Sequence, residues 1–266
     1  MRRAYPSDIT REQFAMIEPE LAGARKRTHP RTYELYDIFC AILYLVKEGC
    51  TWRAIPHDFP KWENVRYHYD MWTEPNENGI SLLDIVLRKL VEMERENDDR
   101  AEQTTMIIVD SKSVQNADTG GVKGYDAGKK KSGIKWHIAV DILGLPHALM
   151  LTPANVTDRA GAIDMVRYYC SETDNLDLVQ KVLVDGGYSG DNFANAIKAE
   201  LPNTKVEVVK RNELHTFVVL PKRWIVERSF GWLDKCRRLW KNCERLLQNS
   251  FQMITLAFIR LLLRRC

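Results

Sequence analysis

The sequence predicts an α/β domain built on a mixed sheet, preceded by a smaller all-helical segment, and three observations support that reading. Through the first hundred residues apolar side chains recur at helical spacing. From Met106 the period changes, first to a short all-apolar run and then to strict alternation. The later segments follow the order strand, hairpin, helix, strand, helix, strand, helix, which describes an α/β layer around a mixed sheet.

Taken in order, Asp8 or Thr10 caps a helix to about Leu21, with Phe14, Ile17 and Leu21 along one side. Gly23-Ala24-Arg25-Lys26-Arg27-Thr28-His29-Pro30-Arg31 is a basic connector. A second helix carries Leu35, Ile38, Phe39, Ile42, Leu43 and Val46 on its apolar side and ends near Gly49. Trp52 to Pro56 turns a tight corner into an aromatic helix with Trp62, Val65, Tyr67, Tyr69 and Trp72. Short helices, tight turns and a basic loop suit a helix-turn-helix DNA reader and a small helical bundle equally well. Leu82, Ile85, Val86 and Leu90 mark an amphipathic helix over 81–104 that fades into the charged run Glu92 to Glu102. The domain boundary therefore falls near residue 100, giving a helical domain over 1–100 and an α/β domain over 101–266.

In the second part, Met106 to Val109 reads as a buried strand and Gly120 to Gly133 as a mobile basic loop containing Lys129-Lys130-Lys131. Ile134, Trp136, Ile138, Val140 and Ile142 alternate with Lys135, His137 and Asp141. Their polar face reads as the exposed side of a hairpin that turns at Leu143-Gly144 and returns over Leu145 to Thr152. Thr157 or Asp158 caps a helix carrying Ile163, Val166 and Tyr169. Val179 to Val184 is a second apolar strand, followed by a helix over 191–199 and a strand over 206–209. After Leu220-Pro221 one long helix is expected, with Val226, Phe230, Leu233, Cys236 and Trp240 as its apolar stripe. Arg223, Glu227, Asp234, Arg238, Lys241 and Arg245 run beside that stripe, and Trp224, Trp232 and Trp240 read as packing residues.

Composition narrows the function. The apolar stretch Ile254 to Leu263 is interrupted by Arg260 and too short to span a bilayer, and the N-terminus lacks an apolar signal segment. Cys40, Cys50, Cys170, Cys236, Cys243 and Cys266 form no Cys-x-x-Cys pair, which suits reduced thiols in a cytoplasmic protein. The net charge of +3 conceals an asymmetry. Residues 201–266 hold fourteen Lys and Arg against five Asp and Glu, while the first two hundred are net acidic. Such a distribution points to a polyanionic partner at the C-terminal part, with nucleic acid the first candidate.

Two apolar strands run into an aspartate, Ile107-Ile108-Val109-Asp110 and Val182-Leu183-Val184-Asp185. If they lie parallel and adjacent, both carboxylates emerge at one sheet edge, where α/β folds keep their sites. Glu227 sits at the margin of the apolar stripe on the C-terminal helix. Three carboxylates suit a hard divalent cation, which takes oxygen ligands, retains waters and engages substrate phosphate. Two such ions would activate a water or a 3′-hydroxyl and stabilise the leaving oxygen. The histidines show no zinc-ligand spacing, and no glycine-rich phosphate loop or Gly-x-Ser-x-Gly elbow occurs.

The sequence resembles bacterial insertion-sequence transposases of the Asp-Asp-Glu class, in the IS-five branch of the IS-four-like superfamily. The N-terminal marks are Tyr5-Pro6-Ser7-Asp8-Ile9-Thr10, Ala41-Ile42-Leu43-Tyr44-Leu45, Gly49-Cys50-Thr51-Trp52-Arg53 and Pro56-His57-Asp58-Phe59-Pro60. The later ones are Val109-Asp110-Ser111, Ala139-Val140-Asp141-Ile142-Leu143-Gly144-Leu145-Pro146, Asp185-Gly186-Gly187-Tyr188 and the run from Arg223 to Leu233. The resemblance implies a ribonuclease H-like catalytic domain and a helical domain that binds terminal inverted repeats. It implies that Asp110, Asp185 and Glu227 are catalytic and bind two magnesium ions, with manganese as substitute.

Arg223 belongs to the signature around the glutamate; Arg223, Arg228, Lys235, Arg238 and Lys241 are the expected DNA-binding residues. Leu220 stands where many relatives of the wider superfamily carry a tyrosine, which bears on DNA-end handling. Only 41 residues separate Asp185 from Glu227, leaving no room for a large insertion domain. The implied activity is hydrolytic nicking of the element's ends, then joining of the 3′-hydroxyls to target DNA. The implied partners are double-stranded DNA and at least a second protomer, with the nucleoid of a bacterial cytoplasm as the setting. The rival readings are a ribonuclease H-like nuclease that cuts without joining and a domesticated DNA-binding regulator without catalysis.

Overall fold

The computed structural model describes residues 2–24, 32–209 and 222–266. Residues 25–31 of the basic connector and Leu220-Pro221 lie outside the described residues, as does the side chain of Arg223. The chain forms a helical unit, residues 1–90, 233–240 and 252–266, and an α/β unit, residues 91–232 and 241–251.

In the helical unit, α1 (Arg11–Ala15) opens on a capping box in which Thr10 and Gln13 exchange side-chain-to-backbone hydrogen bonds. The single helix expected to Leu21 is instead two, because Pro19 lies in the first turn of α2 (Glu18–Ala22). Proline has no N–H to continue the α1 ladder and fits the first turn of a new helix. α3 (Leu35–Glu48) ends at Gly49, whose φ of +74° is the left-handed geometry glycine adopts without strain. A 3₁₀ turn at Trp52–Ala54 makes the expected corner into α4 (Trp62–Thr73). Phe39 and Trp72 pack together in this core, and the Trp72 indole donates to the Leu21 carbonyl. α5 (Leu82–Asn97) begins in this unit.

The α/β unit holds a six-stranded mixed sheet. β1 (Met106–Gln115) pairs antiparallel with β3 (Lys131–Val140) on one side and parallel with β5 (Lys181–Asp185) on the other. β6 (Lys205–Val209) extends the sheet beside β5, in parallel. β2 (Gly124–Asp126) and β4 (Pro146–Pro153) pair antiparallel with β3. On one face, Ile107, Val109, Val182 and Val184 pack with Met165 and Val166 of α6 (Asp158–Glu172) and Phe193 and Ile197 of α7 (Asp191–Glu200). Thr157 caps α6, its side chain accepting from the Ala160 amide.

Four further expectations change. β1 does not finish on Asp110 but runs five residues further, because Asp110 to Gln115 find antiparallel partners on β3. The segment read as a mobile loop contains β2 and a hairpin into β3. Lys135 and His137 are buried, not exposed hairpin residues, since the α6 side of the sheet supplies partners for them. The long C-terminal helix is also interrupted. α8 (Arg223–Leu233) stops where the chain enters the helical unit, a 3₁₀ turn follows at Arg237–Leu239, and α9 (Leu247–Leu263) begins afresh. The apolar stripe therefore breaks after Leu233, and Trp240 is exposed, as is Trp224.

Candidate active site

The parallel register pairs Ile107 with Val182 and Ile108 with Leu183. Asp110 and Asp185 each lie two residues beyond that last pair, so both carboxylates reach the same height and, at period two, the same face. That face is opposite the α6 core. The cleft there is lined by Ile108, Asp110, Leu183, Asp185 and Val209, with Val226 of α8 as a further wall. Asp185 is fixed by a local turn in which its Oδ1 accepts from the Gly187 amide at 2.8 Å. Arg159 holds the same turn from α6, its Nε donating to the Gly187 carbonyl at 2.8 Å. Asp110 Oδ1 accepts from the Ser111 amide at 2.7 Å.

Glu227 follows Val226 on α8 and is exposed. α8 is seated on the turn between β3 and β4. Arg228 Nη2 donates to the Leu143 carbonyl at 2.8 Å, and the Ser229 hydroxyl donates to the Gly144 carbonyl at 2.8 Å. The Arg228 guanidinium also stacks on Trp224 and Trp232, 4.6 and 4.8 Å from their ring centroids. The turn is rigid from below. Asp141, fully buried, accepts from the Leu143 and Leu145 amides and pairs with Arg95 and with His147. Burial pushes the Asp141 carboxyl upward, but His147, the Leu145 amide and Arg95 outweigh it and hold it below the usual carboxylate range.

A second polar cluster sits beneath the α6 face. Lys135 Nζ pairs with Asp158 at 2.7 Å and Asp126 at 3.2 Å and donates to the Val156 carbonyl at 2.8 Å. Ser113 donates to Asp126 at 2.5 Å. Burial acts against the charge on Asp126, yet these donors pull its carboxyl well below the ordinary range. Tyr188 is buried beside this cluster. Burial first, and then the negative charge of Asp110, push that phenol upward, so it stays protonated.

The structure thus brings Asp110 and Asp185 to one cleft and sets Glu227 beside a residue of its wall. Among the described residues no group of three or more His, Cys, Asp or Glu side chains stands assembled to hold a metal ion. The two strand carboxylates fit a hard cation by their chemistry, as oxygen donors at a shared edge. Of the cationic candidates, Lys235 and Lys241 are exposed, Arg228 carries the contacts given above, and Arg238 donates to the Cys50 carbonyl at 3.0 Å. The cluster of Lys135, Asp126 and Asp158 was missed by sequence reasoning, and only the run of polar residues at alternate positions of β1 and β3 could have signalled it.

A mixed α/β unit with paired aspartates at a strand-edge cleft, in a chain that also holds a separate helical unit, defines an α/β protein of acidic-site type. Residues 101–262 match the transposase DDE domain family, and residues 9–76 match the family described as "Putative transposase of IS4/5 family". The chain belongs to the transposase DDE domain family. It is also similar to a Burkholderia cepacia protein described as "Putative transposase for insertion sequence element IS402", with 30% identity over 144 residues. That match covers 52% of this chain and 65% of the relative's own length. No solved structure matches the chain. No helix among the described residues is long and apolar enough to cross a membrane.

Proposed function

We propose that the protein is the transposase of an insertion sequence, nicking the ends of its element by metal-dependent hydrolysis and joining the 3′-hydroxyls to target DNA. The observation that carries this reading is the equal height of Asp110 and Asp185 on parallel strands, at a cleft walled by α8. The α/β unit reads as a ribonuclease H-like catalytic domain, and residues 1–100 as the reader of the terminal inverted repeats. Asp110 and Asp185 would hold magnesium, with Glu227 as third ligand, and the bound ions would supply charge for the attacking and leaving oxygens. Asp185 is pre-set for this by its turn, and Asp110 by the antiparallel strand that continues past it. Exposed cations, Lys235 and Lys241 among them, suit flanking phosphates rather than the chemistry. Paired ends call for at least two protomers.

The test is incubation with magnesium and labelled DNA carrying the segments that flank the gene. Nicking with joined products is expected from the native protein. Asp110→Asn, Asp185→Asn and Glu227→Gln are expected to abolish both while end binding persists. Preserved cleavage in any of the three removes that residue from the mechanism. Cleavage without joining makes the protein a nuclease, and specific binding without cleavage, even with manganese, makes it a regulator.

A further inference from the structure

We infer that the β2–β3 hairpin, with the segment stitched beneath it, is a second DNA-backbone surface that holds duplex phosphates along the strand that carries Asp110. The inference rests on the reading of the protein as a DNA-acting enzyme and adds Lys123 and Lys130, which the expected DNA-binding residues do not include.

The charge there is one-sided. Between Gly120 and Gly133 the chain carries Lys123, Lys129, Lys130 and Lys131, all exposed, against one carboxylate, Asp126. Asp126 is buried and already committed to Lys135, Ser113 and the Lys129 amide. It therefore anchors the hairpin without cancelling the outer lysines. Among the described residues no ion pair takes up Lys123 or Lys130. Tyr125 stands 58% exposed between them. A cationic surface with a protruding amphipathic ring suits phosphates and sugars of a nucleic acid better than an apolar protein partner.

The surface is also pre-formed, so binding need not order a flexible loop first. β2 pairs in register with β3 from Gly124↔Gly133 to Asp126↔Lys131. Lys130 holds a φ of +52°, an uncommon conformation for a residue with a side chain. The stretch leading into β2 is bound to residues 242–244. The Ala117 amide donates to the Asn242 carbonyl at 2.9 Å, the Gly121 amide to Glu244 at 3.2 Å, and the Thr119 hydroxyl to Cys243 at 3.0 Å. A Cβ on Gly121 would stand 2.2 Å from the Arg245 carbonyl oxygen, so only glycine permits this approach. The stitching adds exposed Lys241 and Arg245 to the same surface.

Its position relative to the candidate site follows from Lys129. The Lys129 ammonium reaches back to the Ser111 carbonyl at 3.3 Å and its hydroxyl at 3.4 Å, and lies 3.6 Å from Asp158. Ser111 directly follows Asp110. Ser111 faces the α6 side of the sheet, so a backbone seated on Lys123 and Lys130 would run along the α6 side of the strand that carries Asp110.

The experiment uses the full chain and a fluorescent 30-base-pair duplex of arbitrary sequence, with affinity measured across a salt series. The doubly substituted Lys123→Ala, Lys130→Asn protein is compared with Lys198→Ala, which removes an exposed cation from α7. Asparagine tolerates the left-handed backbone at position 130, and melting curves verify that the variants fold. Each phosphate contact contributes about 0.9 to the slope of log affinity against log salt, so the double variant is expected to lose about 2 in slope. Lys198→Ala is expected to leave the slope intact. An unchanged slope in the double variant, or an equal loss in Lys198→Ala, overturns the inference. A reduced slope in a protein that neither nicks nor joins keeps the surface and removes the transposase reading instead.

Discussion

His137 links the buried cluster of the α/β unit to pH. Its ring is fully buried on β3, with Nε2 2.9 Å from the Thr152 hydroxyl and, among the described residues, no partner at Nδ1. Burial lowers its pKa from 6.5 to about 4; Asp158 acts upward, while Lys135 and Lys129 add to the fall. Above pH 6.5 neither folded nor unfolded chain carries the proton, and His137 adds no pH dependence. Between pH 6.5 and about 4 the unfolded chain takes up a proton that the folded chain refuses, so stability falls as pH falls. Below about 4 the loss levels off. The gap from 6.5 to about 4 corresponds to roughly 3 kcal/mol. Asp126, Asp141 and Asp158, whose carboxyls are held low, lose their contributions below the ordinary aspartate range, so they leave this window to His137. Asp84 in the helical unit is raised by burial and acts with the opposite sign, which makes a difference measurement necessary. The assay is urea unfolding at pH 7, 6, 5 and 4.5 for the native chain and for His137→Gln, which retains an amide near Thr152. The native chain is expected to lose stability across the series relative to the variant. Parallel pH profiles would refute the assignment, as would a titration of the His137 ring, followed by NMR, near 6.5.

Two further outcomes follow from the same geometry. Arg228→Ala removes the hydrogen bond to Leu143 and the stacking on two indoles, at a cost of about 2–3 kcal/mol in the α/β unit. Nicking should fall because Glu227 is adjacent, while the salt dependence of DNA binding stays the same; a salt slope smaller by about 1 would make Arg228 a phosphate contact instead. Gly161→Ala places a Cβ 2.2 Å from two ring atoms of His137. Despite the helical preference for alanine, overpacking should cost about 1–3 kcal/mol of unfolding free energy, read as a lower urea midpoint, and a stabilised variant would contradict the packing described.

Much of this arrangement was legible because its signals are local. Val182-Leu183-Val184 is a buried parallel strand by composition, Gly49 stops a helix by its backbone freedom, and the two apolar runs ending in aspartate place both carboxylates. What failed depends on partners distant in the chain. Ser111 and Ser113 gave no apolar signal that β1 continues, since their side chains meet Lys129, Asp126 and the α6 terminus rather than an apolar layer. Lys135 looked solvent-facing by alternation because its counter-charges, Asp126 and Asp158, arrive from β2 and α6. The stripe computed through Trp240 assumed a continuous helix, yet residues 233–240 belong to the helical unit. Trp240 instead donates its indole N–H to the Asp234 carbonyl.

The placement of Asp110 and Asp185 is itself an argument for function. Like charges brought to equal height on neighbouring strands repel, so the arrangement is not one that stability alone would select. Apolar residues would be the stabilising choice on a face that already carries Ile108, Leu183 and Val226. The fold does neutralise acids nearby, giving Asp126 and Asp158 a shared lysine and Asp141 an arginine. A carboxylate pair at this edge, where parallel pairing stops and the antiparallel strand runs on, has the oxygen-donor chemistry that a hard cation takes.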